Sequence, residues 1–155
     1  MIERFERFSH AIFAVSRYWH QLAAEEMEPY SLKGPHAIYL VAILRSTQGL
    51  TCAQLCELSG RDKADVSRAI SLMESKGLVR RQCNGTNLYR AQIFLTEQGV
   101  QAAEHICQRA SLAVEYASSG YTEEERNIFW QVLDTIAGNL QNMTKTGIPH
   151  KENAE

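Results

Sequence analysis

The sequence has no long apolar run. Its longest, Ala37 to Leu44, is eight residues, against the ~20 that a helix needs to cross a bilayer, so no membrane span is expected. The opening Met1-Ile-Glu-Arg-Phe-Glu-Arg7 carries two acids and lacks an apolar core, and does not read as a signal peptide. Cysteine is sparse. Cys52, Cys56, Cys83 and Cys107 in such a chain read as reduced thiols, which places the protein in a cytoplasm. Catalytic signatures are missing too: there is no His-Glu-x-x-His, no Gly-x-Ser-x-Gly and no phosphate-binding glycine loop. Glu123, Glu124 and Glu125 read as acids at a helix start rather than as catalytic carboxylates. No enzyme activity and no cofactor are expected, and no internal repeat or low-complexity tract is present.

What is present is a core and an uneven charge. Apolar residues make up 45% of the 155 and charged ones 22%, enough for one folded domain or a small core with a helical extension. The net charge of −2 hides a division. From Arg61 to Arg90 there are seven basic residues against three acids, a local +4 that leaves −6 for the remainder. That pattern reads either as a basic patch on an acidic body or as ordinary solvated helix charge.

Periodicity supplies the elements. Phe5, Phe8, Ile12, Val15, Trp19 and Leu22 repeat at threes and fours, predicting a helix from Glu3 to Glu28, and Phe13 and Tyr18 widen its apolar stripe enough to cover two surfaces. Pro29 ends it; Pro35 starts a second helix running to Gly49. Thr51-Cys-Ala-Gln54 is a capping box for a short helix stopped at Gly60. Asp62-Lys-Ala-Asp65 caps the next, which buries Val66, Ala69, Ile70 and Met73 and ends at Lys76-Gly77. Two such helices across a short turn form a helix-turn-helix. Strands at 78–83 and 88–95 flank Asn84-Gly85, the strongest short signal for a tight hairpin turn. Thr96 caps a long helix to about Ser118, and Thr122-Glu-Glu-Glu125 opens a last one. The expected fold class is mainly α with a small β-hairpin: a winged helix-turn-helix between long helices.

In that arrangement the second helix of the pair enters a major groove of double-stranded DNA by its N-terminal half. With Val66, Ile70 and Met73 inward, Lys63, Ala64, Ser67, Arg68 and Ser71 face out, small and basic as a close approach to base edges requires. Arg68 suits either a guanine edge or a phosphate. Thr51 and Arg61 add contacts at helix starts, and Arg80, Arg81 and Arg90 supply the wing. Metal sensing is a competing reading, with His105, Cys107 and Glu104 and a contribution from His36 or His20. The i, i+2 spacing of His105 and Cys107 diverges around a helix, so no metal site is expected. Cys52 and Cys56 read as small buried hydrophobes.

Residues 50–99 resemble the MarR family of transcriptional regulators. The resemblance is carried by Leu50-Thr-Cys-Ala-Gln-Leu55, Asp62-Lys-Ala-Asp-Val-Ser-Arg68, Met73-Glu-Ser-Lys-Gly-Leu-Val79, Arg81 and Leu95-Thr-Glu-Gln-Gly99. It implies a homodimer that binds a pseudo-palindromic operator and usually represses. It also implies an organisation of residues 1–30 as a dimerisation helix, 34–97 as the winged domain, 98–145 as C-terminal dimerisation helices and 146–155 as a flexible tail. The wing departs from the family pattern: Asn87 and Tyr89 stand where an acid and an arginine are usual, and the arginine comes one residue later, at Arg90. Phe13, Tyr18, Trp19, His36 and Tyr39 read either as the lining for a small aromatic effector or as rings that pack the dimer core. The alternatives are a winged-helix module that binds protein instead of DNA, or a metal- or thiol-responsive regulator of the same fold.

Overall fold

The computed structural model describes residues 2–82 and 91–149, which fall into two compact units divided after residue 112. In the first unit α1 spans Ile2–Met27. It is followed by a single-turn 3-10 helix at Glu28–Tyr30 with Pro29 in its first turn, where a missing N–H costs nothing. A second 3-10 turn, Gly34–His36, leads into α2, Ala37–Leu44. The helix predicted from Pro35 to Gly49 is therefore shorter at both ends. Pro35 sits in the 3-10 turn, and Leu50 is drawn off into a β-bridge with Ile93.

The helix pair follows as α3, Cys52–Ser59, and α4, Lys63–Ser75. The Thr51 hydroxyl accepts the Gln54 N–H at 3.3 Å while Gln54 Oε1 accepts the Thr51 N–H at 2.9 Å, the reciprocal arrangement that the spacing predicts. Gly60 closes α3 in the left-handed region. Asp62 Oδ1 accepts the Asp65 N–H at 2.9 Å and so starts α4.

The wing's described arms are β1, Val79–Gln82, and β2, Gln92–Leu95, antiparallel with Val79 opposite Leu95. A two-residue turn on Asn84-Gly85 would place Gln82 opposite Asn87. The observed register places it opposite Gln92, so the arms do not meet in the phase of that tight turn. The turn itself, with Cys83, Asn87, Tyr89 and Arg90, lies outside the described residues. Leu50 exchanges both backbone hydrogen bonds with Ile93, at 3.1 and 2.8 Å, and so stitches the chain ahead of α3 to the wing.

The core lies between α2, α3, α4, the wing and the start of α5, Glu97–Ala117. Tyr39, Leu40, Leu55, Val66, Ile70, Met73, Leu78, Val79 and Ile93 are its largest fully buried side chains among the described residues, with Met27 added from α1. Gly99 lets α5 approach β1 closely: a Cβ there would run into the Leu78 carbonyl. In the second unit α6 spans Glu123–Thr146 and opens with the predicted box, Thr122 against Glu125.

Candidate nucleic-acid interface

One face of α4 is solvated and the other is core. Val66, Ala69, Ile70 and Met73 are buried, while Lys63, Ala64, Ser67, Arg68 and Ser71 are exposed, the division that the 3.6-residue period predicts. The exposed set leads with the helix N-terminus, the positive end of the helix dipole. Ala64 and Ser67 keep that surface low, so the backbone there can come near a flat partner.

The charges on this face are more committed than the sequence count implies. Asp65 Oδ1 accepts a hydrogen bond from Arg68 Nη2, and its other oxygen lies 3.6 Å from Arg61 Nη1. Asp62 is used as the cap. Glu74, the third acid of the basic window, holds Arg81: Oε2 accepts from Nη1 at 2.5 Å and Oε1 from the Arg81 N–H at 3.3 Å. Ser71 Oγ accepts a further bond from Arg81 Nη2 at 3.1 Å. Arg81 is thus a half-buried strut between β1 and α4, engaged by Glu74 and Ser71. Arginine's fixed fork of donors is what permits one side chain to make all these bonds.

Arg80 alternates to the other face of β1 and is exposed. Its guanidinium lies 5.0 Å from the Phe94 ring centroid and donates to Gln82 Oε1 at 3.2 Å. Phe94 is its directly opposed cross-strand partner. Thr51 is half-buried, and its hydroxyl also donates to Gln54 Oε1 at 3.0 Å. Cys52 and Cys56 pack partly against the core. Burial pushes the Cys52 thiol up; the charges of Arg81 and Lys63 pull it back, and Cys56 adds to the rise. A thiol held protonated is a poor nucleophile.

Of the residues expected at an effector site, His36 and Tyr39 stand together at the start of α2, and the others lie on α1. Tyr39 is 1% exposed and belongs to the core, its ring 6.1 Å from and stacked on that of His36, which corrects its reading as a ligand-facing side chain. Phe13, Tyr18 and Trp19 are exposed on α1. The His36 imidazole is pushed below its ordinary pKa by burial, then by the charges of Lys33 and Arg61. Its Nδ1 accepts the Lys33 N–H at 3.3 Å. His105 does not join Cys107 or Glu104. Its Nε2 lies 3.4 Å from a Glu26 oxygen, and the other oxygen of Glu26 accepts from Arg109 Nε at 2.7 Å. No group of three or more metal-ligating side chains occurs among the described residues.

Asp65, Glu74, Phe94 and Glu26 are the participants that sequence reasoning missed. Asp65 was findable, since Arg61 and Arg68 stand four residues before and three after it on one helical face. The other three meet their partners across the fold.

A family model described as the MarR family matches residues 30–86. An uncharacterized HTH-type transcriptional regulator of Bacillus subtilis, YybA, is 24% identical over 127 residues, which cover 82% of this chain and 84% of the relative. A MarR family regulator from Listeria monocytogenes, solved as a complex with 26mer DNA, superposes with a TM-score of 0.78 at 26% identity, over 92% of this chain and 96% of that one. A MarR regulator from Methanosarcina mazei has the same TM-score of 0.78 at 24% identity, over 89% and 99% of the two chains. At that identity the last likeness is one of fold. Family and fold are those of regulators rather than of enzymes, and no described helix is long and apolar enough to cross a membrane. Together with the two-faced α4 and its wing, these likenesses support a DNA-binding transcriptional regulator similar to those of the MarR family.

Proposed function

We propose that the protein is a cytoplasmic homodimeric repressor that lays α4 into the major groove of each half of a pseudo-palindromic operator. The observation that carries this reading is the outer face of α4, small at Ala64 and Ser67 and cationic at Arg68, beside a helix N-terminus. Arg68 reads a base edge; Arg80 and Arg61 contact phosphates, and Thr51 and Lys63 anchor the starts of the two helices. Ser71 and Arg81 act indirectly, by fixing the wing to α4. Homodimerisation is supported by the apolar side chains that α1 and α6 leave in solvent, among them Phe5, Phe13, Ile128 and Trp130. Release by a small aromatic effector fits the exposed rings of α1, whose turn at His20–Ala24 lies against Gly34.

The test is selection of genomic fragments by the purified protein, followed by titration of the recovered fragment with wild type and Arg68→Ala. Loss of a bidentate base contact is worth about 1–3 kcal/mol per half-site, and the dimer loses two, so the variant is expected to bind at least about thirtyfold more weakly while its melting temperature holds. Unchanged affinity would remove α4 from the interface. Transcription from the recovered fragment then decides repressor against activator.

A further inference from the structure

Asp65 is an awkward residue for this surface. It puts a carboxylate on the face of α4 that meets a polyanion, and a neutral side chain there would bind DNA more tightly in general. The cap hydrogen bond of α4 comes from Asp62, so to the helix start Asp65 adds only a favourably placed first-turn charge. What Asp65 does hold is two cations. Its oxygens pair with Arg68, whose side chain is 70% exposed, and with Arg61, 45% exposed. An exposed pair of this kind adds little to folding stability, so its effect falls on how the arginines meet DNA. Given the reading of α4 above, we propose that Asp65 is the specificity-determining positioning residue of the interface.

Two consequences follow from the geometry. A guanidinium has five N–H donors; one from Arg68 goes to Asp65, and the rest are free to supply the two that a guanine edge takes. Arg68 can therefore engage a base without leaving the carboxylate, which fixes the plane in which its fork is presented. A phosphate on random sequence, by contrast, has to draw Arg68 or Arg61 away from an existing ionic partner. Asp65 thus weakens sequence-independent binding more than it weakens operator binding.

The experiment uses the full chain with two duplexes, the fragment recovered by genomic selection and a shuffled duplex of the same composition, titrated at several salt concentrations. Asp65→Asn is expected to bind the shuffled duplex about tenfold more tightly, with a salt slope steeper by about two, one released arginine–phosphate contact per subunit at about −0.9 each. Affinity for the recovered fragment moves less, so discrimination falls. Asp65→Ser repeats the removal in a second residue suited to a first helical turn. Asp65→Glu, which keeps the carboxylate within reach of Arg68, restores discrimination. Glu57→Gln, an exposed charge removed from α3, shifts both duplexes by a common factor. The proposal is overturned if Asp65→Asn behaves as Glu57→Gln does, because the carboxylate then contributes only its field. A wild-type protein that does not distinguish the two duplexes would instead defeat the operator reading itself.

Discussion

Each acid in the basic window is occupied structurally: Asp62 caps α4, Asp65 holds Arg61 and Arg68, and Glu74 holds Arg81. The window's positive charge is therefore arranged rather than free, and a count of basic residues overstates what phosphates meet. His36 offers a second residue-scale consequence. Burial, with Lys33 and Arg61 behind it, lowers its pKa in the folded chain, and the neutral ring is the form whose Nδ1 can accept the Lys33 N–H. Just below the ordinary histidine value of about 6.5, the unfolded chain binds the proton and the folded chain does not. Stability therefore rises with pH through that window; the contribution is complete above about 6.5 and is lost as pH falls through the lowered folded value. Melting temperature against pH should show a shallower acid limb in His36→Asn, which keeps an acceptor and removes the titration. An unaltered limb would assign the acid sensitivity elsewhere.

Among the elements, those defined by neighbours in sequence were legible. The capping boxes at Thr51 and Thr122 and the Asp62 cap stand where the residue types place them, because each is a contact across three residues. The α4 faces were legible from periodicity alone. Whatever rests on partners distant in the chain was not. The bridge from Leu50 to Ile93 cuts short the reading of α2, and the pairing of Val79 with Leu95 fixes how the described arms of the wing meet. Glu74 meets Arg81 only because β1 folds back along α4. Gly99 is the same kind of case, a glycine in the first turn of a helix whose need appears only when Leu78 arrives beside it. Gly99→Ala is expected to lose about 1–3 kcal/mol, the usual cost of overpacking. Gly138→Ala in α6, where a Cβ meets nothing within 4 Å, should gain about 0.5–1 kcal/mol. Urea unfolding of both variants checks the contrast, and a loss at both positions would contradict it.

On the scale of the whole molecule, α1 is out of balance: from Phe5 to Leu22 its large apolar side chains stay in solvent, Ile12 and Trp19 at 43% and Phe13 at 75%. If these faces close on a second copy, each covered side chain counts twice, once per protomer. At about 1.5–3 kcal/mol per buried aliphatic side chain, Ile12→Asp should weaken the dimer by at least two orders of magnitude. Sedimentation over a dilution series reads this directly, and an unshifted dissociation curve would place the interface off α1. Near its carboxyl end the same helix passes Gly34 so closely that a Cβ would stand 2.9 Å from the Ala24 nitrogen. Main chain rests on main chain there, with no side chain to act as a cushion. The contact is a fulcrum, and the helix from Ile2 to Ala24 forms a lever arm of about 33 Å. A tilt of about 5° at Gly34 would sweep the amino end of that arm through about 3 Å.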